Sequence, residues 1–287
     1  MLNFFKYLLT LILDFFSAIS SGGNAVVPTG PPVPPTPYKP VPPSHTVTLA
    51  DIIRAYNSPF KSMYPVGSTT VNAEIHNLPT SAADKIADLI LSESVRTGID
   101  MYYLAACIMQ ESRFDPACYN HNLGHDRTTI SFEHTDWGMC QMAGTYLPDK
   151  PGMQGLSQIQ MAAKATDANW SIPMMADIMV GHLASAKKYF ATDAVFQQNT
   201  TRLNTTSLTD AQFAATLFYN RGEADDTVNK RGGRYYIKND IVDEIKHPYR
   251  VAHWYDAFQH DLKQNTTVFS KYFDVQEPFE LTKQYDA

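Results

Sequence analysis

The chain has 287 residues, 44% of them hydrophobic and 12% aromatic, enough apolar material for one large domain or two small ones. Only 18% are charged, and 23 Lys and Arg against 29 Asp and Glu leave a net charge of −6. This composition excludes a disordered or collagen-like chain, and an acidic balance with no basic stripe argues against nucleic-acid binding.

Three cysteines, Cys107, Cys118 and Cys140, rule out a disulfide-dense scaffold and lack the CxxC spacing of a structural zinc site. They allow one disulfide at most.

The run MLNFFKYLLTLILDFFSAIS carries one early cation, Lys6, then apolar residues, then the small residues Ser17, Ala18, Ser20 and Ser21. It predicts a secretory signal or membrane anchor over residues 1–21. Its length barely reaches the roughly 20 apolar residues of a spanning helix, and Asp14 is costly inside it. An amphipathic or buried helix within an assembly is the alternative. Residues 22–45 hold nine of the eighteen prolines. Proline fixes φ and removes donors, so this stretch reads as a stiff polyproline-II spacer at about 3.1 Å per residue. Residues 46–80 form a lead-in to the main domain, with a short helix in TLADIIRAYN, Asp51 near its start, and a weak strand pattern in VGSTTVNAEI.

From residue 81 the pattern is helical. Ser81 is placed to cap a helix with Ile86, Leu89 and Ile90 on one face, and Gly98 to stop it in a left-handed turn. Asp100 is placed to cap MYYLAACIMQES, which should end before Pro116. Residues 117–137 read as polar and mostly irregular. Pro173 fits the first turn of a long helix, MMADIMVGHLASAKKYF. LTDAQFAATLFYN carries Phe213, Leu217 and Phe218 towards a core, and Pro248 opens a last helix bearing Val251, Trp254, Tyr255 and Phe258. These readings give a mainly α domain over residues 81–262 and a peripheral tail over 263–287.

The helix after Asp100 contains the most informative residue. Leu104, Cys107, Ile108 and Glu111 are separated by three, four and seven positions and share one face. Desolvation on an apolar face favours a protonated carboxyl, and so does the negative end of the helix dipole in the last turn. A general acid needs that state near neutral pH. The same spacing also allows Glu111 to turn outward or to meet Arg113.

The string AACIMQESRFDP around Glu111 resembles the first motif of the soluble-type lytic transglycosylases, the lysozyme-like enzymes that cleave peptidoglycan. Its ESxF-type signature stands here as Glu111-Ser112-Arg113-Phe114. Gly138-Met139-Cys140-Gln141-Met142 is similar to the family's GLMQ signature, and Phe218-Tyr219-Asn220-Arg221-Gly222 to its AYNxG signature. Between them, IPMMADIMVGHL resembles the NIxxGxxYL helix through Asp177, Ile178 and Gly181, with Ala184 and Ser185 in place of Tyr-Leu. Tyr235-Tyr236 is similar, more weakly, to the closing segment. Each motif is weak alone; three in the family's order across residues 81–262 are jointly specific.

The resemblance implies a lysozyme-like helical fold with at most a small β element, and Glu111 as the catalytic residue. Glu111 would protonate the oxygen linking N-acetylmuramic acid to N-acetylglucosamine, assisted by the 2-acetamido group. It would then deprotonate the muramoyl 6-hydroxyl, closing a 1,6-anhydro ring without water. Ser112, Gly138, Met139, Gln141, Tyr219 and Asn220 fall at the substrate, although Met139 and Met142 read by type as packing residues. No cofactor and no metal are implied. The expected partners are peptidoglycan glycan strands, with a membrane or a virion or secretion assembly engaged through residues 1–45 and no nucleic acid. The expected location is the bacterial cell envelope, or a phage virion delivered to it.

The stretch between Glu111 and Gly138 is longer than in compact members of the family. It holds His121, His125, Glu133, His134 and Asp136. Gly124 interrupts any helix that would align the histidines, so a polar loop is preferred to a zinc site. A goose-type lysozyme-like hydrolase would need a second carboxylate, and Asp115, Glu133 and Asp136 are the candidates. A non-catalytic wall-binding component of a phage virion or secretion machine is the third reading. Cys107 and Cys140 read as small buried hydrophobes rather than nucleophiles.

Overall fold

The structure, a computed structural model, describes residues 46–57, 71–72, 80–121, 131–227, 230–242 and 245–264. The segments 1–21 and 22–45, and the tail from residue 265, lie outside the described residues. The described chain is mainly helical, and none of its helices is long and apolar enough to cross a membrane.

Helix α1 (Leu49–Asn57) begins with a reciprocal cap. The Thr48 N–H donates to the Asp51 carboxylate at 2.9 Å, and the Asp51 N–H donates to the Thr48 hydroxyl at 3.3 Å. Its buried face, Ile52, Ile53 and Tyr56, packs into the core. The Tyr56 hydroxyl donates to Asp261 at 3.1 Å, and its ring meets Phe258 edge-on at 5.1 Å.

Helix α2 (Thr80–Thr97) starts one residue before Ser81, which therefore lies in the first turn and not at the cap. Gly98, at φ +74°, ends it in the expected left-handed turn, its N–H donating to the Ser94 carbonyl at 2.8 Å. Asp100 caps α3 (Met101–Ser112) by accepting from the Tyr103 N–H at 2.8 Å. Every residue of α3 from Tyr103 to Met109 is at most 3% exposed. The helix is therefore apolar all round, the signature of a central core helix, and the 104/107/108 stripe does not by itself single out position 111.

The segment read as mostly irregular holds strands at both ends. Four short strands, β1 (Val71–Asn72), β2 (Tyr119–His121), β3 (Thr135–Trp137) and β4 (Met142–Ala143), pair antiparallel in that order. Tyr119 stands opposite Trp137 and Asn120 opposite Asp136. A 3₁₀ turn (Gly144–Asp149) and α4 (Gln158–Ala165) lead to α5 (Ala168–Thr192). Asp167 caps α5 by accepting from the Asn169 N–H, so Pro173 is its sixth residue and not in the first turn. Without an N–H, Pro173 leaves the Asn169 carbonyl without its helical donor.

Helix α6 (Ala194–Leu203) and α7 (Asp210–Arg221) follow; Thr209 and Gln212 form a capping box at the start of α7. Phe213, Leu217 and Phe218 are buried as the pattern predicts. The Tyr103 hydroxyl ties α3 to α7, donating to the Gln212 carbonyl at 2.9 Å. A two-stranded ribbon, β5 (Asp226–Thr227) and β6 (Lys230–Arg231), precedes α8 (Gly233–Lys238). The last helix, α9 (Lys246–Gln264), carries Pro248 in its first turn and lies along α3 and α7. There Trp254 Nε1 donates to Gln110 Oε1 at 3.0 Å.

Candidate active site

Glu111 lies in the last turn of α3, where the chain leaves the core. Its side chain is 14% exposed, and Oε1 lies 3.1 Å from Nε2 of His247, itself 11% exposed, in the first turn of α9. The carboxyl thus points neither into bulk solvent nor into a dry core. The pairing joins residues 136 positions apart, and nothing in their spacing announces it.

Directly after the helix, Arg113 (φ 55°) and Phe114 (φ 64°) both adopt left-handed conformations. Such residues cost on the order of 1–3 kcal/mol each and persist where the surroundings over-determine them. Phe114 is locked by burial against Phe258 at 6.2 Å. The Arg113 carbonyl accepts from Asn57 Nδ2 at 3.0 Å, and burial pushes its guanidinium down to about 9. Gln141, at φ 46°, is a third left-handed non-glycine residue at this site.

The turn Gly138–Gln141 is held from three directions. Gly138 sits at φ +74°, and a Cβ there would lie 2.0 Å from the Ala165 carbonyl oxygen, so only glycine lets the turn seat against the end of α4. Gln141 Nε2 donates to the Gly138 carbonyl at 2.8 Å and to the Cys118 carbonyl at 3.4 Å. The Tyr219 hydroxyl, from the last turn of α7, donates to the Cys140 carbonyl.

Burial pushes the Tyr219 phenol well above its ordinary range, and the negative charges of Glu111 and Asp136 add to the rise. The phenol stays a neutral donor at any working pH. All three cysteines are buried and free. Burial pushes their thiols up, Cys118 to about 12, and the Glu111 charge adds to the rise in each. Neutral thiols are poor nucleophiles, so Cys107, Cys118 and Cys140 are buried packing residues within reach of the Glu111 charge.

The ESxF, GMCQM and FYNRG segments therefore converge on Glu111, though not every residue faces a ligand. Ser112 is fully buried, its hydroxyl turned back to the Ile108 carbonyl at 3.4 Å, so it cannot touch a substrate. Met139 is likewise enclosed in the core and offers no surface. Gly138 approaches Ala165 and not open space. Gln141 and Tyr219 remain partly accessible but spend their donors on the turn. Asn220 is exposed at the end of α7.

Of the three candidate second carboxylates, Asp115 is buried and accepts from the Ala117 N–H at 2.9 Å. Glu133 is exposed and accepts from Gln158 at 2.8 Å. Asp136, on β3, is the one whose charge reaches Tyr219. No group of metal-ligating side chains stands among the described residues, and His125 lies outside them. His247 escaped the sequence reading, which stopped at its neighbour Pro248.

Comparison with family models, with curated proteins and with solved structures returns no match.

Proposed function

We propose that this chain is a peptidoglycan lytic transglycosylase. Glu111 acts as general acid on the β-1,4 oxygen between N-acetylmuramic acid and N-acetylglucosamine. The resulting carboxylate then takes the proton of the muramoyl 6-hydroxyl, and the 1,6-anhydro ring closes. The enzyme works at the cell envelope, with residues 1–21 as signal or anchor and 22–45 as spacer.

One observation carries the reading. Three motifs far apart in the sequence meet around a single, nearly enclosed carboxyl at the exit of the central helix. The thiols and the phenol whose ionisation its charge disfavours stay neutral, which leaves Glu111 and His247 as the groups there able to exchange a proton. The Tyr219 bond to Cys140 and the Gln141 bond to Gly138 fix the Gly138–Gln141 turn.

Asp136 favours a second reading, a goose-type hydrolase in which this carboxylate activates water. Both are tested by incubating purified peptidoglycan with the wild type and with E111Q and D136N, followed by mass spectrometry of the products. Anhydromuramoyl ends, lost in E111Q and retained in D136N, are expected. Reducing muramic ends that disappear in D136N would establish the hydrolase. Full activity of E111Q would remove Glu111 from either mechanism.

A further inference from the structure

We propose that His247 is the positioning residue for Glu111, an inference that rests on Glu111 being the acid. His247 Nε2 lies 3.1 Å from Glu111 Oε1, and neither side chain is more than 14% exposed. Little water can compete for that contact, so the pairing holds one carboxyl oxygen. Oε2 is left as the atom that gives a proton to the glycosidic oxygen and takes one from the 6-hydroxyl. The cycle balances on Glu111 alone, because the proton it gives to the glycosidic oxygen is replaced by the one it takes from the 6-hydroxyl.

The ring is itself held in place. Helix α9 runs along α3, anchored by Trp254 on Gln110 at 3.0 Å and by Phe258 against Phe114 and Tyr56. Pro248, next in sequence, fixes its own φ and stiffens the backbone that carries the imidazole. Cys107, Cys118, Cys140 and Tyr219, whose ionisation the Glu111 charge disfavours, are all held in their neutral forms by burial. His247 is the side chain paired with the carboxyl in direct contact, at 3.1 Å. A carboxyl free to rotate would present either oxygen, and misplacement of a reacting group by about 1 Å can cost about 100-fold in rate.

The test uses the full chain and three variants. H247L keeps comparable apolar bulk and removes the donor. H247Q keeps a side-chain N–H at similar reach, and E111Q removes the titrating partner. H247L should lose roughly 100-fold in kcat on peptidoglycan with KM changed less than about two-fold, while H247Q recovers to within about ten-fold of the wild type. Circular dichroism and melting curves confirm that each variant folds. A packing role would let Leu and Gln perform alike, and equal turnover of H247L and H247Q overturns the proposal.

A second readout needs no activity. The side-chain nitrogen resonances of His247 should move when Glu111 becomes Gln, and unmoved resonances also overturn the pairing. A wild type that cleaves no peptidoglycan sinks the enzymatic reading instead, while the nitrogen shifts still report on the contact.

Discussion

At the scale of single residues, the site depends on positions that never meet a ligand. Gly138 shows this most clearly. Its φ of +74° and the 2.0 Å approach of a hypothetical Cβ to the Ala165 carbonyl are both backbone constraints, so no rotamer change relieves them. Gly138→Ala should lower stability by about 1–3 kcal/mol or more and weaken cleavage further, because the turn that Tyr219 and Gln141 pin would shift. Melting curves and peptidoglycan turnover check the two effects; an unchanged Tm would mean that the turn yields without cost.

Glu111 was legible in the sequence through its motif, less so through its stripe, because α3 is buried on every side and periodicity there carries little contrast. His247 was illegible for a different reason. Its partner is 136 positions away, and only the docking of α9 on α3 creates the contact. Ser112 and Met139 fall within the family-like motifs, yet their burial gives them packing roles. A motif marks a neighbourhood and does not say which side chains face outward.

Among the elements, the local signals served unevenly: Asp100 and Gly98 held, while Ser81 and Pro173 misplaced the starts of α2 and α5. The cap at Asp100 and the stop at Gly98 depend on nearest neighbours and are readable from a few residues. The four-stranded sheet is not, since its strands of two or three residues are too short for an alternation to register. The ends of α5, α6 and α8 meet in a charged cluster. Lys238 lies 3.3 Å from Asp193 and 2.9 Å from Asp225, and Arg234 reaches both carboxylates at 3.4 Å.

Burial acts against ionisation of Asp193, but the Phe196 N–H and Lys238 outweigh it and hold its carboxyl below the usual carboxylate range. A depressed folded value contributes stability that is present above the unfolded value of about 3.9. That contribution is lost as pH falls through the lower folded value. Asp193→Asn keeps a capping side chain for α6 while deleting the charge. The variant should melt below the wild type at about pH 6, and the gap should narrow as pH falls below about 3.9. A gap of constant size across that range would show that Asp193 acts through its cap alone.

For the molecule as a whole, α1 is part of the core and not an appendage. Ile52, Ile53 and Tyr56 are fully buried, and each large apolar side chain so placed stabilises the fold by about 1.5–3 kcal/mol. A chain beginning at residue 46 should melt like the full protein while losing any membrane or assembly association conferred by residues 1–45. A chain beginning at residue 58 should lose several kcal/mol, because it also strips the Tyr56 hydroxyl from buried Asp261. Denaturant titration of the two truncations separates these outcomes, and equal midpoints would show that α1 adds nothing to stability.

The Tyr56–Asp261 hydrogen bond spans 205 residues, and that separation bears on biosynthesis. The earliest-made helix among the described residues has to wait for the last one before its buried face is covered. A nascent chain still missing α9 keeps Ile52, Ile53 and Tyr56 without their final neighbours. Completion of the domain therefore waits on α9, and a ribosome-stalled chain ending before Lys246 should remain protease-sensitive at α1 while one extended far enough past Gln264 to bring α9 out of the ribosome does not.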